Sequence, residues 1–174
     1  AEYGLIKPVL EIIKKSPELK LQLIVTGTHL SSKFGYTVKN IICDGFHINH
    51  RVKIPNELDT SKGIVKSLGV GLNNFAYPFD RLKPDLLLIL GDRTEMLIAA
   101  ITAMICRTPI AHIHGGELTE GAYDDAIRHS ITKMAHLHFV ATDIYKKRVI
   151  QLGEQRNRVY NVGGLGPKNI KKMK

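Results

Sequence analysis

Short apolar runs alternate with stretches of helical period along almost the whole chain, and this alternation constrains the fold more than any other feature. Leu19–Gly27 (LKLQLIVTG), Leu86–Gly91, Pro109–His114, His136–Thr142 and Arg158–Gly164 read as buried strands. Phe46–Ile54 alternates apolar with polar, as an edge strand would. Between these runs, apolar residues recur at helical spacing. One face is predicted for Leu5, Val9, Ile12 and Ile13, and another for Val65, Leu68 and Leu72. Two more follow, at Leu97, Ile101 and Ile105 and at Ile127, Ile131 and Met134. Strands alternating with helices imply an α/β fold, a doubly wound parallel sheet covered on both faces. The chain shows no internal repeat and no low-complexity segment.

At 174 residues, 44% hydrophobic and 24% charged, the chain has enough apolar material for one α/β domain with its own core. No apolar run approaches the roughly 20 residues needed to span a bilayer, so no membrane association is expected. The opening AEYGLIKPVL lacks a basic segment followed by an apolar one, the pattern of a secretory signal. Cys43 and Cys106 are far apart and outside any metal-binding spacing. They read as free thiols of a cytoplasmic protein. The net charge of +9 raises the question of an anionic partner. Lys14, Lys15, Lys146, Lys147, Arg148, Lys171, Lys172 and Lys174 fall where amphipathic helices show their solvent side. A solvated basic surface explains them better than nucleic-acid binding, and no zinc-finger, KH or RNP signature is present.

In an open parallel sheet, ligands bind beyond the carboxyl ends of the strands. The first polar cluster at such a point is TGTHLSSKFG, Thr26–Gly35. His29 and Ser31 lie where a helix is expected to open, and free N–H groups there could hold a phosphate. An ordinary strand–loop–helix turn with Ser31 as N-cap accounts for the same residues. The second cluster is Gly91-Asp92-Arg93. Asp92 stands at the sheet edge with Arg93 beside it, and as a helix N-cap it would be equally unremarkable. The third is HIHGGELTEGAYDDAIRH, His112–His129. His112 and His114 share one face of a strand. Gly115 and Gly116 would let the backbone approach a ligand closely. Glu117, Asp124 and Arg128 follow, and the i,i+4 spacing of the last two would by itself signify a surface ion pair. Taken together, these residues place several acids, an imidazole and a cation at adjacent strand ends, as proton transfer requires. His136 and His138 begin a strand at the opposite edge and read as structural, as do His47, His50 and His129.

TGTHLSSKFG, GDRTE, AHIHGGELTEGAYDDAIRHSITKMAHLHF and VYNVGGLG closely resemble the hydrolysing UDP-N-acetylglucosamine 2-epimerases of sialic acid and related nonulosonate synthesis. The similarity runs along essentially the whole chain. It implies a Rossmann-like domain spanning 1–174, the N-terminal domain of a glycosyltransferase-B-type two-domain fold. A first strand is expected before Ala1 and a second domain after Lys174. The implied reaction eliminates UDP across C1 and C2 of the sugar and then hydrates the resulting 2-acetamidoglucal to N-acetylmannosamine. By this resemblance Asp92, Glu117 and Asp124 are the acid/base candidates, while Arg93 and Arg128 orient carboxylates or substrate. His29, Ser31, Gly115 and Gly116 complete the expected substrate-binding set. No redox cofactor and no metal is expected, and the protein is expected to be a homo-oligomer, a dimer or a tetramer. Relatives often carry glutamate at the position of His114, which leaves open whether His114 or Glu117 does that glutamate's work. It also raises a UDP-diacetamido-trideoxyhexose as the substrate.

Two other readings compete. A metal-dependent hydrolase would use His112, His114, Asp92 and Asp124 as ligands, a donor set that suits zinc or iron. A non-catalytic module would bind a UDP-sugar without turning it over.

Overall fold

The computed structural model describes residues 2–55, 60–120 and 123–166. Lys171, Lys172, Lys174 and the closing NIKKMK therefore lie outside the described residues. The chain divides into two compact units, Ala1–Lys83 and Pro84–Lys174.

The first unit runs α1 (Tyr3–Lys15), β1 (Ile24–Thr26), two 3₁₀ turns (Gly27–Leu30 and Ser32–Phe34), α2 (Val38–Cys43), β2 (His50–Val52) and α3 (Ser61–Leu82). β1 and β2 pair in parallel, Val25 opposite Arg51. β1 is shorter than the apolar run around it. One reason is local: the Asn49 carboxamide oxygen accepts the Leu23 N–H at 2.8 Å and takes that donor out of the ladder. The core gathers Leu10, Val25, Val38, Ile41 and Phe46, with Tyr3, Ile6, Leu21, Leu23, Leu30 and Ile48 packed around them.

Two predicted helix faces are out of phase. α1 buries Leu10 and turns Tyr3 and Ile6 inward, while Leu5 and Ile12 are exposed, Ile12 to 68%. α3 buries Gly71, Phe75, Pro78 and Phe79, while Val65 and Leu72 are exposed. Both helices carry two apolar stripes, so spacing alone does not decide which one meets the sheet. The hydroxyl of Thr60 caps α3 by accepting the Gly63 N–H at 3.1 Å. Side-chain bonds from Gln22 to the Leu82 carbonyl and from Asn74 to the Lys53 carbonyl tie α3 to the rest of the unit.

The second unit alternates β3 (Leu87–Leu90), α4 (Thr94–Ile105), β4 (Ile110–Ile113), α5 (Asp124–Met134), β5 (Leu137–Val140), α6 (Asp143–Gln151), a 3₁₀ turn (Arg156–Arg158) and β6 (Val159–Asn161). The four strands are parallel, in the order β3-β4-β5-β6. β4 is buried at every position, as a central parallel strand covered on both faces should be. α4 brings Ala99, Ala100 and Ala103 into the core, small side chains that let a helix backbone approach closely. Ile127 and Ile131 of α5 are buried as predicted; Leu97 and Ile101 of α4 are half-buried and Ile105 is exposed. Val140, Val149 and Val159 close the unit beside β6. The parallel α/β architecture agrees with the expected class, although the strands form two hydrogen-bonded ladders where the sequence suggested one sheet. Among the described residues, no helix is long and apolar enough to cross a membrane.

Candidate active site

The second unit brings its chemistry to the carboxyl ends of β3 and β4. β3 is followed directly by Gly91, whose φ of 79° turns the chain sharply and sets Asp92 at the edge. β4 is followed directly by His114, which adopts a left-handed φ of 65°, uncommon for a residue with a side chain. The Gly91 N–H donates to the Ile113 carbonyl at 3.0 Å and the His114 N–H to the Phe139 carbonyl at 2.9 Å, so the ladder holds both exits.

Arg128, carried on α5, is the centre of the cluster. Its side chain is only 8% exposed. One guanidinium nitrogen donates to the Asp92 carboxylate and to the Thr119 hydroxyl, at 3.0 Å for the latter. The other donates to the His114 carbonyl at 3.0 Å and to Glu117 Oε2 at 3.3 Å. A buried cation needs compensating charge, and two carboxylates supply it. The planar fork of arginine suits such a task better than the single ammonium of lysine. The Nδ1 of His114 lies 3.2 Å from Glu117 Oε1, and its Nε2 accepts the Leu165 N–H at 3.3 Å.

Asp124 does not join this cluster. It occupies the first turn of α5, where the helix dipole favours an acid, and its side chain has no hydrogen bond or ion pair among the described residues. The expected Asp124–Arg128 pair is not formed, because the guanidinium turns toward Asp92 and Glu117 instead. Arg93 also stands apart: its Nε pairs with Glu95 at 3.4 Å, and its backbone, not that of Asp92, is the N-cap of α4. The Asp92 side chain goes to Arg128 rather than to the helix.

His112 is fully buried. Its Nε2–H donates to the Gly91 carbonyl at 2.8 Å, and its Nδ1 faces the Thr132 hydroxyl at 3.4 Å. Burial pushes its pKa down to about 4, so the ring is neutral near pH 7. With both nitrogens engaged inside the fold, His112 fastens β4 to the β3 exit and is not placed to bind a metal. Among the described residues no three His, Cys, Asp or Glu side chains converge on a point that could hold one. His138, adjacent to His112 in the strand register, is also buried and reaches Glu154 at 3.3 Å.

Gly115 and Gly116 are explained by the protein's own packing. A Cβ at Gly115 would stand 3.1 Å from His112 Nδ1 and 3.2 Å from Thr132 Oγ1. One at Gly116, where φ is +77°, would stand 2.6 Å from the Tyr145 carbonyl oxygen. Arg148 of α6 donates to the Gly116 carbonyl. Both glycines are thus packed closely within their own unit, Gly115 against His112 and Thr132 and Gly116 against helix α6.

His29 and Ser31 belong to the first unit. The chain there forms two short 3₁₀ turns rather than the expected helix, and Ser31 lies between them without a side-chain cap bond. His29 Nδ1 is 2.7 Å from the Thr37 hydroxyl, and its ring meets the edge of Tyr3.

Sequence reasoning passed over Thr119 and Leu165. Thr119 is polar but sits in an irregular loop with no periodic signal. Leu165 takes part through its backbone N–H, which no side-chain pattern announces; the only trace was the VGGLG segment that contains it.

The family model of UDP-N-acetylglucosamine 2-epimerase matches residues 11–174. A Campylobacter jejuni protein named GDP/UDP-N,N'-diacetylbacillosamine 2-epimerase (hydrolyzing) is 46% identical over 99% of this chain and 45% of its own length. Polysialic acid biosynthesis protein P7 of Escherichia coli is 44% identical over 97% of this chain and 43% of its own. The chain thus spans about half the length of the curated relatives it matches. The fold matches a crystal structure of UDP-GlcNAc 2-epimerase from Neisseria meningitidis bound to UDP-GlcNAc with a TM-score of 0.82, at 18% identity, over 98% of this chain and 46% of that one. On the family match and these identities, the chain belongs to the UDP-N-acetylglucosamine 2-epimerase family.

Proposed function

We propose that this chain forms the N-terminal, Rossmann-like part of a hydrolysing 2-epimerase acting on a UDP-linked 2-acetamido sugar. The observation that carries this reading is the convergence of Asp92 and Glu117 on one buried guanidinium at the ends of adjacent parallel strands. Two carboxylates are held there in fixed positions, as acid/base chemistry needs. The name of the Campylobacter relative favours a diacetamido-trideoxyhexose, and the ligand of the Neisseria structure favours UDP-N-acetylglucosamine.

The chemistry proceeds in two steps. A carboxylate removes the C2 proton while the C1–O bond to UDP breaks with its electron pair, leaving UDP and a 2-acetamidoglucal. Water then adds across the double bond, hydroxyl to C1 and proton to the opposite face of C2, giving the 2-epimeric free sugar. Glu117, Asp92 and Asp124 are the proton carriers in this reading.

Turnover by the full-length protein in heavy water tests this directly, with UDP-N-acetylglucosamine and its diacetamido analogue compared side by side by NMR. The product is expected to carry deuterium at C2. Protium retained at C2 would exclude elimination. Asp124→Asn and Asp92→Asn are each expected to lower kcat by about two to four powers of ten, the usual worth of a general acid or base.

A further inference from the structure

We infer that His114 is a positioning residue: a neutral imidazole with its proton on Nδ1, set by its neighbours to aim the Glu117 carboxylate. Its backbone is secured at both ends, since its N–H donates to the Phe139 carbonyl and its own carbonyl accepts from Arg128. The left-handed φ of 65° is held in place by these bonds. The ring is then read by two partners of opposite character. The Leu165 N–H donates to Nε2 at 3.3 Å, so that nitrogen offers a lone pair. In a neutral ring the proton then resides on Nδ1. Nδ1 lies 3.2 Å from Glu117 Oε1, where an N–H donates to a carboxylate oxygen. The other tautomer would set Nε2–H against the Leu165 N–H and a lone pair against the carboxylate. A doubly protonated ring would keep the Glu117 bond but oppose two donors at Nε2. Both partners therefore select one tautomer.

The charged and titratable groups nearest this ring are Glu117, Arg128, Asp92 through Arg128, and the buried His112. Glu117 is gripped from two sides, by His114 at Oε1 and by Arg128 at Oε2. Removing either grip frees the carboxylate to rotate. This division of labour rests on the proposed 2-epimerase reading for the role of Glu117; the tautomer does not.

Two measurements on the intact protein separate these claims. Long-range ¹H–¹⁵N NMR of ¹⁵N-histidine-labelled protein, with His114 assigned through the spectrum of His114→Asn, is expected to show Nδ1 protonated and Nε2 bare at neutral pH. A protonated Nε2 overturns the inference whether or not the enzyme turns over any sugar. In kinetics, His114→Gly removes the ring and relieves the backbone, because glycine adopts positive φ freely. His114→Asn keeps a donor near the place of Nδ1 and tolerates the same φ. His114→Gly is expected to lower kcat roughly 10- to 100-fold, the scale of a slightly misplaced catalytic group, with KM changed only a few-fold. His114→Asn is expected to recover most of that loss. An unchanged kcat in His114→Gly, or an Asn variant no better than the Gly variant at equal unfolding midpoint, overturns the positioning role. If the wild type releases UDP from no sugar tested, the 2-epimerase reading fails and the NMR result still decides the tautomer.

Discussion

Arg128 satisfies four acceptors from one buried position, and the consequences of losing it follow from that arithmetic of charge. Arg128→Met keeps much of the volume but leaves Asp92 and Glu117 without the cation they share. The expected destabilisation is about 2–4 kcal/mol, somewhat below the cost of breaking a dry ion pair because both carboxylates retain some water. Chemical denaturation at neutral pH measures it, and a change under about 0.5 kcal/mol, the range of an ordinary surface substitution, would show that the cluster is not integral to the fold. His112 gives a second prediction. Its folded pKa of about 4 lies below the ordinary 6.5, so the fold favours the neutral ring. The stability it contributes is complete above about pH 6.5 and drains away as pH falls toward 4. The full difference is about 3 kcal/mol by linkage. His112→Gln keeps a donor toward the Gly91 carbonyl and cannot titrate, so its stability should fall less steeply between pH 7 and 5 than that of the wild type. Parallel slopes from urea titrations would rule this out. At this scale much is readable from sequence: Asp92, His114 and Glu117 each follow a strand end or a glycine, which fixes where they emerge. The partner of Arg128 is not readable, because i,i+4 spacing brings two Cβ atoms together without saying where a long guanidinium turns.

Elements are placed by what they bury, and here sequence spacing was least decisive. α1 and α3 each offer two apolar stripes, and only the shape of the facing core selects Leu10 over Ile12 or Phe75 over Leu72. α5, with one apolar stripe, is unambiguous from Ile127 and Ile131. The 3₁₀ turns after β1 replace a predicted helix because the backbone at Ser31 is extended, which breaks helical progression, and Gly35 in the left-handed region ends the second turn. The seating of α6 against the β4 exit depends on Gly116. Gly116→Ala would drive a methyl group into the Tyr145 carbonyl and Val149 and hold alanine at positive φ. The expected cost is about 2–4 kcal/mol, combining overpacking with left-handed strain. Thermal unfolding of the variant against Gly166→Ala, where a Cβ meets open space, provides the comparison. Equal midpoints would mean that α6 yields without penalty.

For the molecule as a whole, the sequence conveys class more readily than connectivity. Alternation of runs is enough for parallel α/β, but hydrogen-bonded order depends on which strands share an edge, and the strands divide into a pair and a set of four. The net charge of +9 belongs to this scale too. Several bases are engaged locally: Arg128 in the cluster, Arg148 on Gly116, Lys7 with Asp44 and Lys133 with Glu154. Binding of a labelled DNA duplex is accordingly expected to be no tighter than the non-specific range of about 10⁻⁴–10⁻⁶ M at physiological salt and to vanish as salt rises. Tight, salt-resistant binding would contradict a merely solvated basic surface. The Arg128 hub also bears on descent. It gathers side chains and backbone from the β3 exit, the β4 exit, the loop beyond it and α5, while Leu165 after β6 steadies the histidine alongside. None of these positions can drift independently without orphaning a charge or a donor. A chimera that exchanges only the β4–α5 loop between distant relatives would inherit acceptors cut to another template; the viable unit of exchange is Asp92, the whole His114–Arg128 segment and the Leu165 turn, transferred as one piece.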